Sequence, residues 1–418
     1  MNLRDRIDRR HNAHGDRQLA VDRDLLAPTV HRSEPVGRGP ALEQLLDALE
    51  PVFDGDLPPP LAVIGPHGAG TSALVVALFD ALNDRFGGAG GAVGTTTRAR
   101  PSEPTAWFVH VDGRRVDSEF SFYRSVLDVL SPEPVPESGI GTDDLQARVQ
   151  DRLAGNRQAV VAIDHHDEPE TLDYGRVRDL LKVADVTDSI ATVAVGRHKP
   201  DDWGGATVSL PAYRSHELVD IVTDRASSGL VAGGFDHESI RTLAEWADGN
   251  AHDALAALFV ATTVAEREDA DRITERHLEY GRMDVHENGV HVDRALALSE
   301  TRQQALAHLV SLDLDVTTTP IGDLANAVAE RSSLTTGTVK RFLYELAERG
   351  VLERIELEAD GTGRNPSALD PLIPPAAFRE LAAVSFDANG PTELPVNHDT
   401  DADARLEARP DREPDSGS

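Results

Sequence analysis

Cysteine is absent from the 418-residue chain, and methionine occurs only twice. Without cysteine there is no disulfide and no thiolate metal centre. Aromatic residues are scarce at 5%, and few of the 41 basic residues are lysine. No apolar run approaches the ~18–20 residues that a membrane span needs. The first 30 residues are charged and hold no apolar stretch of the signal-peptide kind. These absences lead to the expectation of a soluble, cytoplasmic protein with no membrane partner.

What the chain has in excess is acid. Asp and Glu total 72, the formal net charge is −31 and the isoelectric point is about 4.8. Such a surface keeps a protein soluble in concentrated salt, so a halophilic origin is expected. Apolar residues make up 40%, enough for a buried core. The length suits two or three domains of ~100–200 residues each.

The pattern along the chain divides into five parts. Residues 1–24 read as a flexible arm rich in Arg, Asp and His. Residues 25–210 alternate short apolar strands with helices, as a parallel sheet covered on both faces does. The strands are expected near Leu61–Ile64, Trp107–Val111, Ala159–Ile163, Ile190–Val195 and Thr207–Leu210. The Gly-rich stretch 86–104 reads as a surface loop. Residues 211–291 carry four helical patterns and no strand, a small helical domain. Residues 292–385 give three helices, a strand from Leu352, a turn at Asp360–Gly363 and a closing apolar run near Leu372. That is the element order of a winged helix. Residues 386–418 are a polar, acidic tail, too poor in apolar residues to offset the entropy of ordering.

Two motifs carry chemistry. Gly65-Pro66-His67-Gly68-Ala69-Gly70-Thr71-Ser72 follows a strand and opens a helix, the setting of a phosphate-binding loop. Its glycines let backbone N–H groups face a phosphate, and the helix N-terminus adds partial positive charge. Thr71, however, stands where the motif calls for Lys. Ser72 retains the hydroxyl for Mg²⁺. The second motif is Ala159–Asp164, an apolar strand ending in an acid. Asp164 is placed to hold Mg²⁺ through water, and His165 occupies the position of the carboxylate that activates the attacking water. His165, His166 and Asp167 are too few ligands for a metal centre of their own. Loss of a charge-stabilising donor costs roughly 10²–10³ in rate. Loss of a general base costs roughly 10²–10⁴. Little or no ATP turnover is therefore expected, although Asp164 and His165 hold the catalytic positions.

With these motifs the chain resembles the archaeal origin-recognition and Cdc-type initiator family of AAA+ ATPases, from about Leu25 to about Leu381. Pro35-Val36-Gly37-Arg38 resembles the family's entry segment, with backbone near Val36 and Gly37 at the adenine. Pro211-Ala212-Tyr213 with Glu217-Leu218 resembles its lid entrance. Gly249–Leu255 resembles its second sensor, with His252 in place of Arg. At the first sensor, where Asn is usual, Gly196–Lys199 offers Lys199. The resemblance implies an AAA+ P-loop α/β domain, a helical lid and a C-terminal winged helix. It also implies ATP or ADP with Mg²⁺ as ligand, double-stranded DNA as partner, and initiator paralogues or replication proteins as further partners. The four substitutions suit a divergent haloarchaeal paralogue with degenerate ATPase motifs.

In the helix from Thr336, Val339, Phe342, Leu343 and Leu346 share one face. Thr336, Thr338, Lys340 and Arg341 lie outside it and would enter the major groove, with Arg364 at the wing. The net charge opposes loose electrostatic binding, so groove contacts must supply more of the affinity. Three readings stay open: an initiator-type DNA-binding protein without hydrolysis, an active ATPase in which Lys199 or Arg197 replaces the missing Lys, and a protein scaffold that binds neither ligand.

Overall fold

The structure is a computed structural model, and it describes residues 18–86, 106–136, 139–357 and 365–387. Arg364, the tail from 388 and most of the expected arm and Gly-rich loop lie outside these residues.

Helix α1 (Gly39–Leu49) leads into β1 (Leu61–Ile64), and α2 (Thr71–Phe86) follows it. Then come β2 (Ala106–Asp112), α3 (Glu119–Leu130), α4 (Thr142–Arg152), β3 (Gln158–Asp164), α5 (Tyr174–Val183), β4 (Ile190–Gly196) and β5 (Ala206–Ser209). The strands form one parallel sheet in the order β2-β3-β4-β1-β5. Every residue of β4 is buried, and so is β3 beyond its first residue. Helices on both faces thus explain why these strands read as unbroken apolar runs rather than alternating ones. One face buries Phe122, Tyr123 and Val161; the other buries Phe79, Phe108 and Val193. Register places Ile64 beside Gly196 and Asp164 beside Val195. The carboxyl ends of β1, β3 and β4 therefore open at one place.

The lid comprises α6 (Ser215–Gly229), α7 (His237–Trp246), α8 (Ala251–Arg267) and α9 (Glu275–Asp284). Helix α8 is buried nearly all round and forms the lid's centre. The last unit has a short α10 (Asp293–Leu296), then α11 (Glu300–Val310), α12 (Ile321–Glu330) and α13 (Thr336–Glu348). An antiparallel pair follows, β6 (Leu352–Glu356) with β7 (Ser367–Pro371), and then α14 (Pro375–Asp387). This is the helix-and-hairpin order expected of a winged helix. No helix among the described residues is long and apolar enough to cross a membrane.

Three points depart from the sequence expectations. The arm does not extend to residue 24: Leu19 is buried in the lid core, and Val21 and Asp22 donate backbone bonds to Gly229. Arg23 reaches Thr263 at 2.6 Å and Glu380 at 2.9 Å. The polar sequence hides this because its cations are matched by distant acceptors. Helix α5 is not expected from the pattern, being short and charge-rich, yet it buries Val177, Leu180 and Leu181. Helix α14 is not expected either. Proline at its first position suits a helix start, and Asp284 on α9 accepts the Ala376 and Ala377 amides at 2.8 and 3.0 Å. The lid thereby caps a helix of the last unit, a contact made across 92 residues of chain.

Candidate functional site

The loop between β1 and α2 is bent by glycines at two positions where any side chain would be strained and crowded. Gly68 has φ +66°, and a Cβ there would lie 1.8 Å from the Asn250 Oδ1. Gly70 has φ +76°, and a Cβ there would lie 2.6 Å from the Tyr213 hydroxyl. Both collisions are with the lid. The glycines thus serve loop curvature and also the close approach of the two domains. Ala251 N–H donates to the Gly68 carbonyl at 3.2 Å, which ties the start of α8 to the loop. Arg38, only 4% exposed, donates to the Ala69 carbonyl and the Pro211 carbonyl, each at 2.9 Å. Its guanidinium lies over the Tyr213 ring, 3.5 Å from the centroid. One side chain therefore joins the entry segment, the loop and the lid.

A cavity of about 560 Å³ runs from Val36 past this loop to Asp164. That volume suits a nucleotide-sized ligand. Gly65, Pro66, His67, Gly68, Gly70, Thr71, Ser72, Asp164, His165, Tyr213 and His252 all line it. Gly37 instead lies against Glu217, and Ala69 is buried beneath the loop, so neither faces the cavity. Arg197, one of the two cations expected to replace the missing Lys, joins the lining, as do Arg114 and His31, which no motif marks. Lys199 does not: it faces a separate cleft beside Tyr174 and Trp203. The reason is that Asp167 accepts the Arg197 and His198 amides at 2.9 and 2.8 Å, turning the chain after β4 so that Arg197 faces the loop.

The acidic strand end is fully engaged. Asp164 is 1% exposed and accepts from His110 Nε2 at 2.8 Å and from the His165 amide at 2.9 Å. Burial pushes its carboxyl up, but the His165 charge and the His110 and Ser72 hydrogen bonds outweigh this and hold it well below the usual range. His165 has φ +58° and reaches Glu168 at 3.1 Å. Burial lowers its ionisation range, yet Asp164 and Glu168 outweigh it, and the net shift is upward. This favours the protonated imidazole, the opposite of what a general base needs. Glu168 meets Arg294 at 2.8 and 2.9 Å. Burial opposes its ionisation, but the His165 bond and Arg294 hold it at about 2. Asp112 is similarly bound to Arg114 through two contacts of 2.9 and 3.0 Å. Ser72 and Asp164 stand together as a Mg²⁺ pair would, but no group of three or more metal-ligating side chains converges among the described residues.

Three imidazoles meet over the loop. The His291 ring stacks on His252, with centroids 4.1 Å apart, and meets His67 edge-on at 4.6 Å. His252 accepts the Val292 amide at 3.1 Å.

Residues 34–193 match the family model for the AAA ATPase domain, and residues 219–283 match that for the Cdc6 AAA+ ATPase-type lid domain. The chain belongs to the archaeal Orc1/Cdc6 family. ORC1-type DNA replication protein 1 of Sulfolobus acidocaldarius is 24% identical over 287 residues, covering 64% of this chain and 68% of that one. ORC1-type DNA replication protein 8 of Halobacterium salinarum is 26% identical over 286 residues, covering 63% of this chain and 68% of that one. The structure of the Aeropyrum pernix ORC1 protein in complex with DNA shares the fold, with TM-score 0.58 and 19% identity over 89% of this chain and 98% of that one. The chain is thus a replication-initiator-like AAA+ protein.

In this Orc1/Cdc6 chain the last unit presents a second candidate surface. Thr336, Lys340 and Arg341 are exposed on α13. Thr338 is half-buried, and its hydroxyl is held by Thr335, the helix's N-cap residue, at 2.9 Å. Lys340 shares a groove of about 450 Å³ with Tyr344, Arg354, Ser367 and the start of α12. Arg354, on β6, lies over the Tyr344 ring and is not among the residues expected to contact DNA. Glu345, also on α13, is bound to Arg302 at 2.8 and 3.0 Å and so presents little free negative charge.

Proposed function

We propose that this protein binds DNA through α13 and the β6–β7 hairpin, holds adenine nucleotide in the cavity beside the glycine loop, and hydrolyses it slowly or not at all. One observation carries the catalytic part. Each carboxylate that β2, β3 and the loop after β3 bring to the cavity is already bound: Asp112 to Arg114, Asp164 to His110, Asp167 to the Arg197 and His198 amides, and Glu168 to Arg294. Each is held in place by a partner, although the Oδ1 of Asp167 is buried without one, and His165 is shifted toward its protonated form. The glycine loop, Ser72 and Asp164 fit a nucleotide's phosphates and Mg²⁺, and Arg114 and Arg197 supply positive charge in place of the missing Lys. The solved Aeropyrum pernix ORC2 protein, in ADPNP-ADP and ADP forms, has a TM-score of 0.51 in each and 18% and 17% identity to this chain, so the fold accommodates such a ligand in that protein.

Titration with a fluorescent adenine nucleotide, together with a turnover assay, tests this reading. Saturable binding with turnover at background is expected. Turnover abolished by Asp164→Ala would overturn it. For DNA, exchanging Lys340 and Arg354 together for Ala is expected to weaken binding across sequences. The slope of log affinity against log salt should fall by about 2 in magnitude if each cation meets one phosphate. An unchanged slope in a mobility-shift series would remove these two residues from the interface.

A further inference from the structure

The loop's inward-facing amide is already in use. Gly68 N–H, at the centre of the glycine turn, donates to His291 Nε2 at 3.2 Å. His291 does not belong to the AAA+ domain. It lies in the connector between α9 and α10, and that connector is strapped to the last unit: Val290 N–H donates to the Leu372 carbonyl at 2.9 Å, and His286 meets Asp370 at 3.2 Å. On its other side, Arg294 binds Glu168 and reaches the Arg349 and Gly350 carbonyls at 3.5 and 3.3 Å. A hydrogen-bonded strap therefore runs from the β6–β7 end of the last unit into the cavity, and its tip is an imidazole on the phosphate-facing amide.

We propose that His291 is a plug for the phosphate seat, so that a di- or triphosphate and the docked position of the last unit compete for the Gly68 amide. The proposal rests on the nucleotide reading above and adds its regulation. A ring stacked on His252 and touching His67 fills the space over the turn, and a phosphate oxygen cannot share the same N–H with it. Phosphate has the advantage in strength, because a hydrogen bond to a charged acceptor is roughly twice as strong as one to a neutral group. The His291 imidazole is a neutral acceptor: burial lowers its ionisation, with His252, His67, His165 and Arg114 acting in the same direction. When phosphate enters, the connector must leave, and the strap carries α10 and the hairpin with it. Nucleotide would thus loosen the last unit from the AAA+ domain, and anything that holds that unit in its docked place would lower the apparent nucleotide affinity.

Two measurements test this on the full chain. His291→Ala removes the plug, and ADP and pyrophosphate should then bind on the order of two- to ten-fold more tightly by calorimetry, the equivalent of one net hydrogen bond. Separately, Asp80→Cys and Glu348→Cys place spin labels on exposed sites of α2 and α13, with no native cysteine to interfere. Saturating ADP should broaden or shift the distance between them, and His291→Ala should do so without ligand. If ADP binds wild type and His291→Ala with equal affinity and the label distance stays fixed, the plug is refuted while the nucleotide site stands. If neither protein binds ADP or pyrophosphate, both readings fall. If His291→Ala binds more weakly, His291 is a phosphate ligand and not a plug.

Discussion

Gly68→Ala is expected to destabilise the folded protein by about 2–4 kcal/mol. Two effects add. The residue has φ +66°, where any side chain is strained by roughly 1–3 kcal/mol. The new methyl would also stand 1.8 Å from the Asn250 Oδ1, so Asn250 must leave. That residue caps α8 by accepting the Asp253 amide at 3.2 Å, and a lost cap costs about 1 kcal/mol. Denaturant unfolding at fixed salt measures the sum. Asn250→Gly in the same chain should recover the collision but not the strain, since glycine is tolerated at helix N-caps. An additive double variant would show that the two residues do not meet. The functional result should be a lid out of register with the loop, because the same contact places α8 over the phosphate seat.

Arg294→Met is the second large effect. Arg294 and Glu168 are each 8% exposed at the side chain, 126 residues apart in sequence. Removing one partner of a buried pair costs about 3–5 kcal/mol when the other charge is left wholly uncompensated; Glu168 keeps His165 at 3.1 Å, so the loss should fall toward the lower end of that range or below it. The acidity of Glu168 gives the pH dependence. Its folded-state value of about 2 lies below the ordinary 4.5, so its stabilising contribution is present above 4.5 and is lost as pH falls through 2. The gap between wild type and Arg294→Met should therefore be widest near neutral pH and narrow as the solution is acidified below 4.5. A gap that stays constant on acidification would mean that Arg294 acts through its carbonyl contacts to Arg349 and Gly350, which do not titrate, and not through Glu168. Spin-label distances between α2 and α13 should also broaden in this variant, since it cuts the same strap that carries His291.

The AAA+ layout was legible in the sequence for local reasons. Strands buried on both faces are apolar throughout, so β1, β3 and β4 stand out without any knowledge of their order. The glycine turn from Gly65 to Ser72 needs positive φ at fixed positions, and only glycine supplies it without strain. The buried stripe of α13 follows from helical period alone, and so does the position of Lys340 outside it. The substitutions Thr71, His165 and His252 were equally visible, because a motif's departures lie at the same spacing as the motif.

Contacts between distant segments were not legible, and they decide how the site works. Whether Lys199 or Arg197 faces the loop depends on Asp167 gripping two amides 30 residues on. That His165 is held toward its protonated form depends on two carboxylates gathered in a buried place. His291 and Arg294 carry no motif, since their partners Gly68 and Glu168 lie 223 and 126 residues away. The sequence by itself determined the sheet, the lid, the glycine loop and which residues stand at its motif positions, because each is written in short-range spacing and in the chemistry of single residues. Only the tertiary structure decided which carboxylates are bound, which cation faces the phosphate seat and that an imidazole from the connector rests on it. Those outcomes follow from packing and charge pairing across separate domains, and one-dimensional spacing does not encode them.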